Sequence, residues 1–208
     1  MYLVRHGETD WNQDKRIQGR TNIPLNGRGR GQAEALAQRL ADLSLAAIYT
    51  SDLKRARETA EIIAARQPQA VTVSALPDLR ECHYGLWEGL TREEVARRFP
   101  QDWQDWLASG ESSCPTDGED FLSLSERAGR AFDQAAQSGK TVLISTHRGP
   151  LRSILCHALG LDHSLLNRFF VGNCSLSALE CGSGPEHKQD QWCRLILLND
   201  TCHLHGVA

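Results

Sequence analysis

Tyr2-Leu3-Val4-Arg5-His6-Gly7-Glu8-Thr9 opens the chain, and Thr141-Val142-Leu143-Ile144-Ser145-Thr146-His147-Arg148-Gly149 follows the same pattern near its other end. Each is a short apolar run that stops at a histidine beside an arginine and then meets a glycine. An apolar run of this length bounded by polar and glycine residues reads as a buried strand. In open α/β sheets, ligands bind beyond the carboxyl ends of the strands. Two strands that both end in His and Arg therefore predict one site built from both ends.

The stretches between them alternate in the same sense. Asn26 predicts the cap of a helix running to about Leu43, with Ala33, Leu36, Ala37 and Leu40 on one face. Ala46 to Thr50 reads as a second strand, and Val71-Thr72-Val73 as a third. Between these two, Ser51 or Asp52 is expected to cap a helix that turns Ala56, Ala60 and Ile63 inward. Residues 91 to 109 read as helical around a break at Pro100, residues 110 to 118 as a loop, and Glu119 to Gln137 as a further helix. A helix from about Gly149 to Leu159 and strands at Ser175 to Glu180 and Trp192 to Leu198 complete the set. The expected fold is α/β in three layers: a mostly parallel central sheet with helices on both faces. Residues 1 to 208 form a single domain in this reading, with a helical insertion over the active site at about 84 to 138.

Composition narrows the function classes. Hydrophobic residues make up 40% and charged residues 24%, with a net charge of −3, so no bulk attraction to nucleic acid follows. There is no basic stripe with interleaved aromatics. No run approaches the roughly 18 apolar residues of a membrane span. Tyr2-Leu3-Val4 follows Met1 at once, so no leader peptide is expected. The seven cysteines are odd in number and form no CxxC pair, which reads as reduced thiols in a cytoplasmic protein. Cys202, His203 and His205 lack a second ligand pair, so no metal site is expected. Trp192 fits either internal packing or the edge of a homodimer.

The chemistry-bearing residues point to phosphate. Arg5 offers a planar fork of donors suited to phosphate oxygens. His6 can act as a nucleophile through one ring nitrogen if the other is held by a hydrogen bond. Gly7 lets the backbone turn and approach a ligand. His147 opens a helix whose first N–H groups favour an anion. Thr50 to Thr59 is another strand end entering a helix, on which Arg55 and Thr59 share a face and Arg55 reaches the same site. Arg57 lies on another face and reads as solvated. A leaving alkoxide needs a proton, and a carboxyl group beside phosphate holds one more tightly than in water. Glu81 and Glu88, in Leu79-Arg80-Glu81-Cys82-His83-Tyr84-Gly85-Leu86-Trp87-Glu88-Gly89, both qualify.

Arg5-His6-Gly7-Glu8-Thr9 with Asn12, Gly19 and Pro24-Leu25 resembles the opening of the histidine phosphatase superfamily, also called phosphoglycerate mutase-like. Ser51 to Thr59, Leu79-Arg80-Glu81 with Gly85 to Gly89, Thr146-His147 with Gly149, and Asn199 to Leu204 match its later motifs in order, so the resemblance spans nearly the whole chain. It implies that His6 is phosphorylated and that Glu81 rather than Glu88 is the proton donor and later the base. It implies a phosphoryl pocket of Arg5, Arg55 and His147, a phosphate contact from Asn12, and a substrate side lined by Gln18 and Gly19. It implies no metal, no nucleotide cofactor and a small phosphorylated metabolite as substrate. Arg148 stands where a small residue is common in the family. The favoured reading turns its side chain outward while its backbone N–H serves the phosphate; the other turns it toward substrate. Gly118-Glu119-Asp120 stands where many members carry Gly-Glu-Ser.

The expected reaction is hydrolysis of a phosphomonoester in two steps through His6, with an optimum near or slightly below neutral pH. The first alternative is a phosphoglycerate mutase, which must grip a second acidic group. The tract from Gln101 to Asp120 holds no Lys or Arg, which favours hydrolysis, whereas Tyr84 after His83 looks mutase-like. A non-catalytic binding module would have lost one of His6, Arg55, Glu81 or His147, and all four are present. Trp87, Trp103 and Trp106 sit at helical spacing that reads as core packing before substrate contact.

Overall fold

The computed structural model describes residues 1–109, 113–183 and 191–207. Six strands form one sheet: β1 (Tyr2–Arg5), β2 (Ala47–Thr50), β3 (Val73–Ala75), β4 (Val142–Thr146), β5 (Leu176–Ser183) and β6 (Gln191–Asp200). Their order is β3-β2-β4-β1-β5-β6, with parallel pairing from β3 through β1 and antiparallel pairing of β5 with both neighbours. The helices are α1 (Asp10–Gln13), α2 (Gly27–Arg39), α3 (Lys54–Ala65), α4 (Arg92–Arg98), α5 (Pro100–Ser109), α6 (Phe121–Ala136) and α7 (Arg148–Leu159).

Period-two alternation in the central strands creates both helical layers. Leu3 and Ile144 pack with Ala128, Ala131 and Phe132 of α6 and Leu151 and Ile154 of α7. Val4 and Leu143 point the other way, onto Ala33, Leu36 and Ala37 of α2 and Ala60 and Ile63 of α3. The residues expected inward on α2 and α3 are the ones that pack there. The last helix of the anticipated insertion, α6, therefore also serves as part of a sheet layer. A third cluster, with Tyr84, Trp87, Val95, Phe121 and Leu124, lies under α4 and α5.

Several boundaries differ from expectation for identifiable reasons. α2 ends at Arg39, and the carbonyl of Leu40 beyond it accepts from Gln67 Nε2 at 3.1 Å. α3 is not capped by Ser51 or Asp52. Ser51 Oγ accepts from Leu53 N, Asp52 pairs with Arg80, and the first helical amide, Lys54 N, donates to Asn22 Oδ1 at 2.7 Å from a separate loop. β3 lies two residues later than Val71 to Val73 because its ladder to β2 sets Ile48 opposite Val73. α4 and α5 divide at Pro100 as expected, and Thr91 and Glu94 close a reciprocal cap on α4. Of the anticipated loop at 110 to 118, residues 110 to 112 lie outside the described residues.

The reading of seven reduced thiols is corrected. Cys181 and Cys193 form a disulfide, because the β5–β6 register makes them direct partners with Cα atoms 4.1 Å apart. Trp192, on the same edge, lies against Gly182 and under the guanidinium of Arg194. Among the described residues, no helix is long and apolar enough to cross a membrane.

The sheet brings the two histidine motifs together. Arg5 is the register partner of Thr146, and His6 N donates to Thr146 O at 2.9 Å. The turn after His6 then runs against the start of α2 at van der Waals limit. A Cβ on Gly29 would meet Glu8 O at 2.0 Å, and one on Gly7 would meet Gly29 O at 2.4 Å. Backbone on both sides leaves no soft neighbour to yield. Gly29→Ala is expected to destabilise the protein by about 1–3 kcal/mol, read as a lowered urea midpoint at unchanged m-value. An unchanged midpoint would contradict this close approach.

Candidate active site

His6 is buried, with Nδ1 2.7 Å from its neighbour's carbonyl, Gly7 O. A carbonyl only accepts, so Nδ1 carries the proton and Nε2 keeps the lone pair of a neutral ring. His147 has the opposite arrangement. Its Nδ1 lies 3.1 Å from Arg55 Nε, which only donates, so the proton sits on Nε2. That Nε2 is buried and has no partner among the described residues. The two rings lie 5.1 Å apart between centroids. One therefore offers a lone pair and the other an N–H beside it. Burial holds both rings well below the usual imidazole pKa, and the charges of Arg55 and Arg5 push in the same direction.

The positive charge is supplied by arginine. Arg55 is fully buried; its Nη1 donates to Thr21 O at 2.8 Å and its Nη2 to Gly19 O at 2.7 Å. With Nε on His147, three of the five donors fix the surrounding protein, so Arg55 anchors the loop at 19 to 21 as well as offering charge to a phosphate. Arg5 donates from Nη1 to Val171 O at 2.9 Å, while its buried Nε has no partner among the described residues. Burial, with the Arg148 charge nearby, lowers Arg5 to about 10. Burial also lowers Arg55 to about 10, against the opposing pull of Glu81. Both remain cations at neutral pH.

The two candidate acids have separate tasks. Glu81 faces the cleft and accepts from Cys82 N at 2.9 Å and Gly149 N at 3.1 Å. A Cβ on Gly149 would meet Glu81 Oε1 at 2.4 Å, which explains the glycine there. Glu88 is occupied with bracing. It accepts from the backbone of Arg20 and Thr21, both at 2.9 Å, and from Tyr84 N at 3.2 Å. Gly19, at φ +52°, has no room for a Cβ beside that carboxylate. Glu81 is thus the carboxylate available to a substrate.

The model of the histidine phosphatase superfamily, branch 1, matches residues 1–191. The chain belongs to this superfamily. It is 41% identical to a metal-independent phosphoserine phosphatase of Arabidopsis thaliana over 212 aligned positions, covering 99% of this chain and 83% of that protein. It is 35% identical to a probable phosphoglycerate mutase of Escherichia fergusonii, over 92% of this chain and 86% of that one. A solved structure described as a putative alpha-ribazole-5'-P phosphatase from Escherichia coli superposes with a TM-score of 0.85 at 26% identity, over 96% of this chain and 95% of that one.

In this histidine phosphatase the remaining expected residues also meet the cleft, of about 240 Å³. Asn12 Oδ1 accepts from Thr9 N and Asn173 Nδ2, both at 3.2 Å, which turns its Nδ2 to the other side. Gln18 and Gly19 line the cleft, and Gln18 Oε1 is a buried acceptor with no partner among the described residues. Arg148, the first residue of α7, also lines the cleft, and its charge lies close enough to lower Arg5.

Sequence reasoning missed Lys15, Arg16 and Arg92 on the cleft wall and Asn173 behind it. Lys15 and Arg16 adjoin the Asn12 loop, a signal that was present. Arg92, from α4, and Asn173 carried none. Asn173 Nδ2 reaches His6 O at 3.0 Å as well as Asn12, fixing the turn after His6 from the segment that leads into β5. Trp87, Trp103 and Trp106 pack ring against ring at 5.3 to 6.0 Å, as expected, and the same rings line the cleft. Among the described residues, no three His, Cys, Asp or Glu side chains gather to hold a metal ion; His203 Nε2 is spent on Cys174 O.

Side-chain NMR of nitrogen-labelled histidine is expected to find His6 protonated on Nδ1 and His147 on Nε2 at pH 7. Because both pKa values are depressed, both rings stay neutral as pH falls through 6.5 while the unfolded chain takes up protons there, so the native state loses stability from about pH 6.5 downward until the rings themselves gain charge well below it. A ring titrating at or above 6.5 would overturn this assignment.

Proposed function

We propose that this protein hydrolyses phosphomonoesters of small metabolites, without a metal, through a phosphohistidine on His6. The observation that carries the reading is the opposed tautomers of His6 and His147 beside the buried Arg55 and the half-buried Arg5. In the first step His6 Nε2 attacks phosphorus, the ester P–O bond breaks, and Glu81 gives its proton to the leaving oxygen. Arg5, Arg55 and the His147 Nε2–H take up the charge that shifts onto the equatorial oxygens. In the second step Glu81 takes a proton from water, the resulting oxygen attacks phosphorus, and the P–N bond breaks. Phosphate leaves and His6 returns to its neutral form. Splitting the transfer in two replaces one difficult step by two easier ones.

The cations lining the outer cleft, Lys15, Arg16 and Arg92, favour a leaving group that bears its own negative charge. Similarity to phosphoserine phosphatases makes phosphoserine the first substrate to try. The same cations keep a mutase as the second reading, since they supply from α4 and the Asn12 loop what the tract at 101 to 120 lacks. A cytoplasmic location remains part of this proposal.

Phosphate release should be measured in EDTA from phosphoserine, phosphoglycerate, α-ribazole phosphate and sugar phosphates. The wild type is expected to turn over at least one, and His6→Ala to lose on the order of 10⁴-fold or more. Interconversion of phosphoglycerate isomers without phosphate release would replace hydrolysis by the mutase reading.

A further inference from the structure

Arg127, on α6, is a buried cation outside the phosphate pocket, with 7% of its surface exposed. All five of its N–H donors are used. Nε and Nη2 hold the two oxygens of Glu119 at 2.7 and 2.8 Å. Nη1 donates to Asp78 O at 2.7 Å and to Arg80 O, and Nη2 donates to Glu81 O at 3.0 Å. Three carbonyls of one short segment thus converge on a single guanidinium, and that segment ends in the proton donor.

Glu119 extends the arrangement. Its second oxygen accepts from His83 N at 3.2 Å, two residues past Glu81, and its first meets Arg20 Nη2 at 3.1 Å. Arg20 lies between Gly19 and Thr21, whose carbonyls Arg55 holds. Burial would favour the acid form of Glu119, but the hydrogen bond and charge of Arg127, with Arg20, bring it below the ordinary carboxylate range. The pair is therefore charged at neutral pH. Charge-assisted bidentate bonds of this kind fix geometry closely. Among the described residues, the link from Glu81 to α6 runs through its backbone carbonyl, while its side chain is held by Cys82 N and Gly149 N.

We infer that Arg127, clamped by Glu119, is a positioning residue that sets the backbone of Glu81 so that its carboxyl group meets the leaving oxygen. This gives Glu119 of the Gly118-Glu119-Asp120 motif a task that phosphate binding does not. The inference rests on Glu81 as the proton donor. A displaced donor matters only where the leaving group needs a proton. Misplacement by about 1 Å costs on the order of 100-fold.

The test compares kcat/KM, which reports the first transfer, for an alkyl phosphate and for para-nitrophenyl phosphate, whose leaving group departs without a proton. Arg127→Lys keeps the charge but cannot reach three carbonyls and both carboxylate oxygens. It is expected to lose about 10- to 100-fold on the alkyl ester and less than about threefold on the aryl ester. Glu119→Gln should show the same split more weakly, which covers failure of the lysine variant to fold. Glu81→Gln is measured alongside and should show the largest split. Equal losses on both esters in folded Arg127→Lys and Glu119→Gln, with the split intact in Glu81→Gln, would overturn the clamp. Absence of the split in Glu81→Gln would overturn Glu81 as proton donor and the clamp with it.

Discussion

Two imidazoles packed 5.1 Å apart in a buried site cannot both be cations, and the hydrogen bond from Arg55 to His147 decides how they divide the work. It fixes the proton of His147 on Nε2, the ring nitrogen turned away from Arg55. The carbonyl of Gly7 fixes the proton of His6 on Nδ1. Parallel pairing of β1 with β4 is what makes the arrangement available, because it delivers both rings to the same end of the sheet. In the proposed reaction, nucleophile and donor are thus set before any substrate arrives, the kind of preorganisation that lowers the cost of moving charge.

Holding that charge imposes its own demands. Two arginines close together, Arg55 buried and Arg5 half-buried, are costly unless their donors are satisfied and an anion is expected. Carbonyls of Gly19, Thr21 and Val171 meet part of the need. The same bonds shape the substrate loop, so stabilising the cations and building the cleft are one operation. Glu88 seals the loop from the other side. Arg127, paired with Glu119, holds the carbonyls of the Glu81 segment as Arg55 holds those of the loop.

Much of this was legible in the chain itself. β1 and β4 declare themselves as short apolar runs with polar ends, and no tertiary contact overrides them. His6, Arg5 and His147 follow from where those runs stop, and Arg55 from the helix entered at the end of β2. What depends on register or on long-range contact was not legible. The α3 cap comes from Asn22 in another loop. The Cys181–Cys193 bond depends on how β5 and β6 align. Glu81 and Glu88 were equivalent as residues and separate only once Glu88 is seen to spend its oxygens on Arg20, Thr21 and Tyr84. Arg92 and Arg127 look like ordinary helix-surface charges until their helices are placed.

The most direct measurement is covalent trapping. The enzyme is mixed with a phosphomonoester labelled in its phosphoryl group, stopped within milliseconds in alkaline detergent, and the labelled peptide is mapped. The expected result is acid-labile, base-stable label on His6, rising faster than steady-state turnover. Turnover with no label, or with label on another residue, would contradict the central role given to His6.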